Sequence, residues 1–171
     1  GAILLKKDYA RNTVLSSHLI TDGSFSEDVV VVAGGTKYPI SAEALELKRN
    51  KLDVLDPEGM KSRLEEKSMN NFLKVIRESL SKSGYTQEDV DYLGILHMKK
   101  SAHDYVLQEL GLREHQSIYL ENYGHTGQID QILSLELALQ QGRIKGGDII
   151  VLVSAGIGYA WGATTIQWGK P

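Results

Sequence analysis

Apolar positions recur along this chain with two periods, near two and near 3.6 residues, and the changes between them mark out its elements. Ala2-Ile3-Leu4-Leu5, closed by Lys6-Lys7, predicts a strand beginning at the first residue. That abrupt start, with no initiating Met, reads as a chain cut from something longer. Val14 to Thr21, with Leu15, Leu19 and Ile20 around His18, predicts a second strand, followed by a turn at Asp22-Gly23-Ser24. The β-branched run Val29 to Val32 stops at Gly34-Gly35. From Ser41 to Arg63 the pattern is mixed and polar, with the turn-like pair Asp56-Pro57, and predicts loop with some helix.

Beyond this the signals sharpen. Met69, Phe72, Leu73, Ile76 and Leu80 recur at helical spacing and predict an amphipathic helix over 66–83, ended by Gly84. Thr86 followed by Asp89 has the form of an N-cap. Asp91 to Leu96 reads as a strand with His97 at its C-terminal end, and Ser101 to Leu110 as a helix with Ala102, Tyr105, Val106 and Leu110 on one side. Ser117 to Leu120 predicts a short strand running into the polar loop 121–127. A helix from about Gln128 to Gln141 should bury Ile129, Ile132, Leu133, Leu137 and Ala138; with Leu135 and Leu139 it is apolar nearly all round and should lie deep. Gly142 to Asp148 is a turn into the strand Ile149 to Val153. A glycine loop then leads to a last strand, Ala163 to Trp168. Helices interleaved with strands predict an α/β fold, a mixed sheet covered by helices.

Composition narrows the function. The 171 residues carry 19 basic and 22 acidic side chains, for a net charge of -3, with neither a basic stripe nor a basic tail, so nucleic acid is not the expected partner. No run of 18 apolar residues and no signal-peptide pattern appears; no membrane role is expected and the cytoplasm is the default compartment. The absence of Cys excludes disulfides, thiolate metal sites and any cysteine nucleophile supplied by these residues.

Two histidines stand out. His97, just past an apolar strand at the start of a βα connection, sits where open α/β sheets gather catalytic groups; a surface loop histidine is the plain alternative. His125, between Gly124 and Thr126, immediately precedes a deep helix. Together they can donate hydrogen bonds to a developing oxyanion or exchange a proton. The spacing to His103 or His115 matches no common zinc motif, so no metal is expected, and neither of these nor His18 is assigned a role. The loop Ser154 to Gly162 ends in a strand and so is not a dinucleotide fingerprint; it can aim backbone N–H groups at a negative oxygen or simply form a tight hairpin. Gly142 to Asp148 reads as an exposed turn rather than a phosphate cradle. Lys99 and Lys100 are either contacts for a phosphorylated cofactor or a solvated helix start.

Glu121-Asn122-Tyr123-Gly124-His125-Thr126-Gly127, a helix, Gly142-Arg143-Ile144-Lys145-Gly146-Gly147-Asp148, an apolar strand and Gly156-Ile157-Gly158-Tyr159-Ala160-Trp161-Gly162 resemble the end of the β-ketoacyl-acyl-carrier-protein synthase III family. Asp22-Gly23-Ser24 and Leu96-His97 fall where that family has a short motif and its catalytic histidine. The resemblance runs over nearly all of residues 1–171 but corresponds only to the C-terminal half of a thiolase-like fold, with Gly1 to Leu5 at the start of the second pseudo-repeat. It implies a missing N-terminal half bearing a nucleophilic cysteine, and a homodimer of two-halved, five-layered subunits. It implies acyl-coenzyme A and malonyl-acyl-carrier-protein as substrates with no bound cofactor, acyl-carrier protein as partner, and a decarboxylative condensation in fatty acid or related biosynthesis.

Carried over by residue, His97 takes the catalytic histidine's place, His125 the place of the family's asparagine, and the backbone near Ile157 that of an oxyanion loop. The chain departs from the family in two places. Met98-Lys99-Lys100 stands where Gln-Ala-Asn is usual, and Gly124-His125-Thr126-Gly127 where Gly-Asn-Thr-Ser is usual. A cysteine with two histidines resembles the elongating ketoacyl synthases, which keeps condensation chemically reasonable. The alternatives are a divergent thioester-dependent acyltransferase, a non-catalytic partner subunit of the same superfamily, or an unrelated α/β ligand-binding module.

Overall fold

The structure is a computed structural model that describes residues 1–169 and divides into two compact units. The first comprises Gly1–Ile20, Ser68–Ala155 and the described residues from Trp161 onward; the second comprises Thr21–Lys67 and Gly156–Ala160.

The first unit is built on a four-stranded sheet of β1 (Thr13–Thr21), β4 (Val90–Ile95), β5 (Ile149–Gly156) and β6 (Ala160–Gln167), in the order β1-β6-β5-β4. β4 and β5 run parallel, with Tyr92 opposite Ile150 and Ile95 opposite Val153. β5 and β6 are neighbours joined by three residues, a connection only antiparallel strands allow, so the sheet is mixed as expected. Alternation of side chains separates its faces. On one face Tyr92, Ile150 and Ile166 pack with Leu135 and Ala138 of helix α4 (Asp130–Gln140) and with Ile144. On the other, Thr165 Oγ1 meets Ser79 Oγ at 3.1 Å and Trp161, fully buried, donates Nε1–H to Ser68 Oγ at 3.2 Å; both partners lie on helix α2 (Pro57–Lys82). Helix, sheet and helix are thus layered around one core. Each fully buried Ile or Leu in it contributes about 2 kcal/mol by area.

Helix α2 begins nine residues before the expected 66. Asp56 is an N-cap rather than part of a free turn: its Oδ1 accepts from Gly59 N at 3.0 Å, and Pro57 opens the helix where its missing N–H costs nothing. Gly84, at φ 81°, lies just past its end. Thr86 and Asp89 make the anticipated capping box, around a single turn of 3₁₀ helix. Helix α3 (Lys100–Glu109) buries His103, Val106 and Leu107, whereas Tyr105 is exposed. Helix α4 turns a different face inward than its apolar pattern suggests. Asp130, Gln131, Ser134, Leu135 and Ala138 are buried while Ile132, Leu133 and Leu137 are half-buried, because each inward polar group has a partner. Gln131 Nε2 donates to Val153 O at 3.1 Å, and Ser134 Oγ meets Tyr92 Oη at 2.6 Å.

Two predicted strands are absent. Gly1 to Leu5 forms no regular structure and leaves Leu4 94% exposed, since the sheet ends at β1 and no strand among the described residues pairs with this run. Ser117 to Leu120 is not a strand either. Side chains replace the ladder there: Gln116 Nε2 donates to Val90 O at 2.7 Å, Ser117 Oγ to Leu93 O at 2.7 Å, and Arg143 Nη1 takes up the Ser117 carbonyl at 2.9 Å. The turn 142–148 is closed on itself, with Lys145 N donating to Asp148 Oδ2 at 2.7 Å and Gly147 N to Trp168 O at 2.7 Å, as suits an exposed turn and not an anion cradle. β6 starts three residues earlier than expected, so the glycine loop is a hairpin turn.

In the second unit β2 (Val29–Val31) pairs antiparallel with β3 (Leu52–Val54), and helix α1 (Ala42–Glu46) lies between them in sequence. Ser41 Oγ caps α1 by accepting from Ala44 N at 3.1 Å. The stretch expected as loop with some helix therefore holds a strand as well, and the first part of α2. Arg63 binds the largely buried Asp28 at 2.5 Å, and Phe25, fully buried, meets the edge of Tyr159 at 5.2 Å. No helix among the described residues is long and apolar enough to cross a membrane.

Candidate active site

The C-terminal ends of the parallel strands β4 and β5 are where loops of an α/β sheet converge. Leu96 N donates to Val153 O at 3.2 Å, and the same carbonyl receives Gln131 Nε2. The loop after β4 and the first turn of α4 are thereby tied to one point of β5. His97 follows Leu96, and His125 lies five residues before Asp130, the first residue of α4.

Asp130 joins the two histidines. Its carboxylate is fully buried and accepts four hydrogen bonds. Oδ2 takes the backbone N–H of His97 at 2.8 Å and Nδ1 of His125 at 2.6 Å; Oδ1 takes the N–H and the hydroxyl of Thr126, each at 2.7 Å. Burial alone would raise the Asp130 pKa, but the donors from Thr126, His97 and His125 outweigh it and hold the carboxyl below its ordinary value. Its place at a helix N-terminus favours the anion further. The His125 side chain is 54% exposed, so its ring has one edge on Asp130 and the other open.

His97 is held differently. Its ring packs on Tyr119 with centroids 4.8 Å apart, and its Nδ1 is buried without a hydrogen-bond partner among the described residues. Tyr119 donates its hydroxyl to Met98 O at 3.1 Å and meets His103 edge-on at 5.4 Å. Burial pushes the His103 imidazole down to about 4, so it stays neutral as a packing group. Lys100 pairs with Asp104 and lies over the Tyr119 ring, which makes it part of the wall and not a free cation. His18 sits on β1, where its Nδ1 accepts from Lys82 Nζ at 2.9 Å. Among the described residues no three His, Asp or Glu side chains gather as a metal site.

His97 and His125 are therefore brought together, while Ile157 belongs to the second unit. It is exposed in the hairpin turn that follows β5, and the turn is pinned to Asp22 by two backbone bonds, Asp22 N to Tyr159 O and Tyr159 N to Asp22 O, both 2.9 Å. Asp130 and Tyr119 escaped the sequence reading. Asp130 had a signal in its position, an acid opening a helix five residues after a candidate histidine. Tyr119 had none, lying in a segment mistaken for a strand.

Residues 80–168 match the family described as 3-oxoacyl-[acyl-carrier-protein (ACP)] synthase III C terminal. The chain belongs to this family. A beta-ketoacyl-[acyl-carrier-protein] synthase III of Symbiobacterium thermophilum is 29% identical over 171 residues, covering 99% of this chain and 50% of that protein. One of Bacillus cereus is 37% identical over 92 residues, 53% of this chain and 30% of the relative. Among solved structures, the synthase III of Thermus thermophilus superposes with a TM-score of 0.72 at 23% identity, over 98% of this chain and 49% of that one. The Aquifex aeolicus VF5 enzyme gives 0.70 at 21% identity, over 95% and 46%. The fold is that of a thiolase-like C-terminal half, and the chain spans about half the length of the curated relatives it matches.

Proposed function

We propose that this chain is the C-terminal domain of a 3-oxoacyl-acyl-carrier-protein synthase III-like acyltransferase. In this reading a cysteine on an N-terminal half takes an acyl group from acyl-coenzyme A. A malonyl thioester on acyl-carrier protein then binds with its carbonyl oxygen toward His97 and His125. Loss of carbon dioxide leaves an enolate, and hydrogen bonds to its oxygen stabilise the charge as it develops. The enolate carbon attacks the acyl thioester, forming a carbon–carbon bond as the carbon–sulfur bond to cysteine breaks. Ile157 contributes a backbone N–H to the second oxyanion in this scheme. The working unit is a homodimer of the two-halved protein, cytoplasmic and acting in fatty acid or related biosynthesis.

The observation that supports this most is that the backbone N–H of His97 and the ring of His125, two residues picked out separately in the sequence, are bound to one carboxylate oxygen. The test uses the polypeptide carrying both halves, incubated with acyl-coenzyme A thioesters and malonyl-acyl-carrier-protein. An acyl adduct on cysteine that yields carbon dioxide and a 3-oxoacyl product is expected. An adduct that passes only to an alcohol or amine, or no adduct with any thioester, would overturn the reading.

A further inference from the structure

We propose that Asp130 is a positioning residue that fixes the proton of neutral His125 on Nδ1 and leaves Nε2 as the only nitrogen of that ring that can meet a substrate. The inference rests on the reading of His125 as a substrate-facing group and adds to it which atom acts and what holds it there.

A neutral imidazole carries one proton, on either nitrogen, and a carboxylate can only accept. Asp130 Oδ2 lies 2.6 Å from His125 Nδ1, so the proton between them belongs to the nitrogen. The carboxylate has no freedom to release it. Oδ1 is occupied by the amide and hydroxyl of Thr126, Oδ2 is shared with the amide of His97, and the group is fully buried. Rotating the side chain would abandon three other donors and leave a fully buried carboxylate without them. The donor set also keeps the carboxyl ionised, since its pKa is held below the usual value despite burial.

The consequence is chemical. An asparagine amide at position 125 can give an N–H to a negative oxygen but cannot take a proton. Neutral His125 with Nδ1 committed presents a lone pair on Nε2, which must take a proton from solvent at the exposed ring before it can serve the oxyanion of the proposed reaction as a donor. Once protonated, the same nitrogen donates to an oxyanion while Asp130 faces the opposite edge of the ring. Because the His97 amide uses the same oxygen, one side chain sets the place of both histidines.

The test is nitrogen–proton NMR of the imidazole side chains of this chain, at a pH where they are neutral. In the native chain His125 is expected with its proton on Nδ1 and slowed exchange of that proton. In Asp130→Ala the His125 signal should move to the Nε2–H form that free imidazole favours, with faster amide exchange at His97 and Thr126. Asp130→Glu should restore part of the Nδ1–H population. A native His125 already protonated on Nε2 would overturn the proposal, and needs no variant to fold. So would an unchanged tautomer in a folded Asp130→Ala chain, its fold verified by unmoved His18 and His115 signals. The readout is independent of turnover: an Nδ1–H tautomer in a protein that condenses nothing would refute the proposed function and leave this assignment standing.

Discussion

The backbone N–H of His97 donates to the carboxylate of Asp130, thirty-three residues further along the chain, at 2.8 Å. This bond closes the loop after β4 onto the first turn of α4, and its acceptor is buried. Asp130→Ala leaves the amides of His97 and Thr126 without their acceptor, so a loss of about 2 kcal/mol in urea unfolding at neutral pH is expected. The pKa of Asp130 is lower in the folded chain than the ordinary 3.8. Its contribution is therefore present above that value and lost as the pH falls through the folded one. The gap between native and variant should close only on acidification below about 3.8. A gap that closes nearer neutrality would mean that another group carries the effect.

Replacement of His125 separates its two capacities in the two-halved protein. His125→Ala removes the ring and should lower kcat roughly 100-fold, the usual effect of deleting one oxyanion donor. His125→Asn keeps an N–H donor and should recover most of that loss if donation is what the reaction needs. An asparagine variant as poor as alanine would instead show that proton acceptance at Nε2 limits the rate. Decarboxylation of malonyl-acyl-carrier-protein, followed as released carbon dioxide, measures both variants on one scale.

Periodicity found every strand of the four-stranded sheet and its three principal helices, most plainly where an apolar face is buried, as Phe72, Leu73, Ile76 and Leu80 are on α2; β1, at the sheet edge, has no fully buried residue. It failed where burial is polar or where pairing is not by backbone. Ile132 and Leu133 promised the inner face of α4, yet Asp130, Gln131 and Ser134 occupy it, because their partners at His97, Val153 and Tyr92 lie far away in sequence. Ser117 to Leu120 has strand composition, but Gln116 and Ser117 side chains take the carbonyls a ladder would use. The histidines were legible from their places beside a strand end and a glycine. The carboxylate that joins them left only a weak signal, since an Asp at a helix start is ordinarily just a favourable charge at the helix dipole.

Asp22 links the turn that carries Ile157 to helix α2. Its carboxylate accepts from Lys67 Nζ at 2.7 Å and from the hydroxyl and amide of Ser24, which lowers its pKa to about 2, Lys67 contributing most. Lys67→Met should raise that pKa toward the ordinary range in a carbon-detected NMR titration. Asp22→Ala keeps the backbone carbonyl that accepts the Tyr159 N–H but removes the carboxylate bonds to Lys67 and Ser24 that hold it in place, so amide exchange at Tyr159 should speed. An unmoved titration in Lys67→Met would show that Ser24 alone holds the anion.

His103 makes the fold sensitive to mild acid. It is 3% exposed on α3, edge-on to Tyr119, and burial lowers its pKa from 6.5 to about 4. Between those values the unfolded chain takes up a proton that the native chain refuses, so stability falls as the pH drops from 6.5 toward 4. That difference corresponds to about 3 kcal/mol at the acid end of the window. His103→Gln, neutral throughout, should lose that slope and overtake the native chain on acidification even if it is less stable near neutrality. Urea midpoints across the window decide it. Parallel pH dependence in both chains would mean that His103 is protonated in the folded state, and that the ring beneath Tyr119 is wetter than its burial implies.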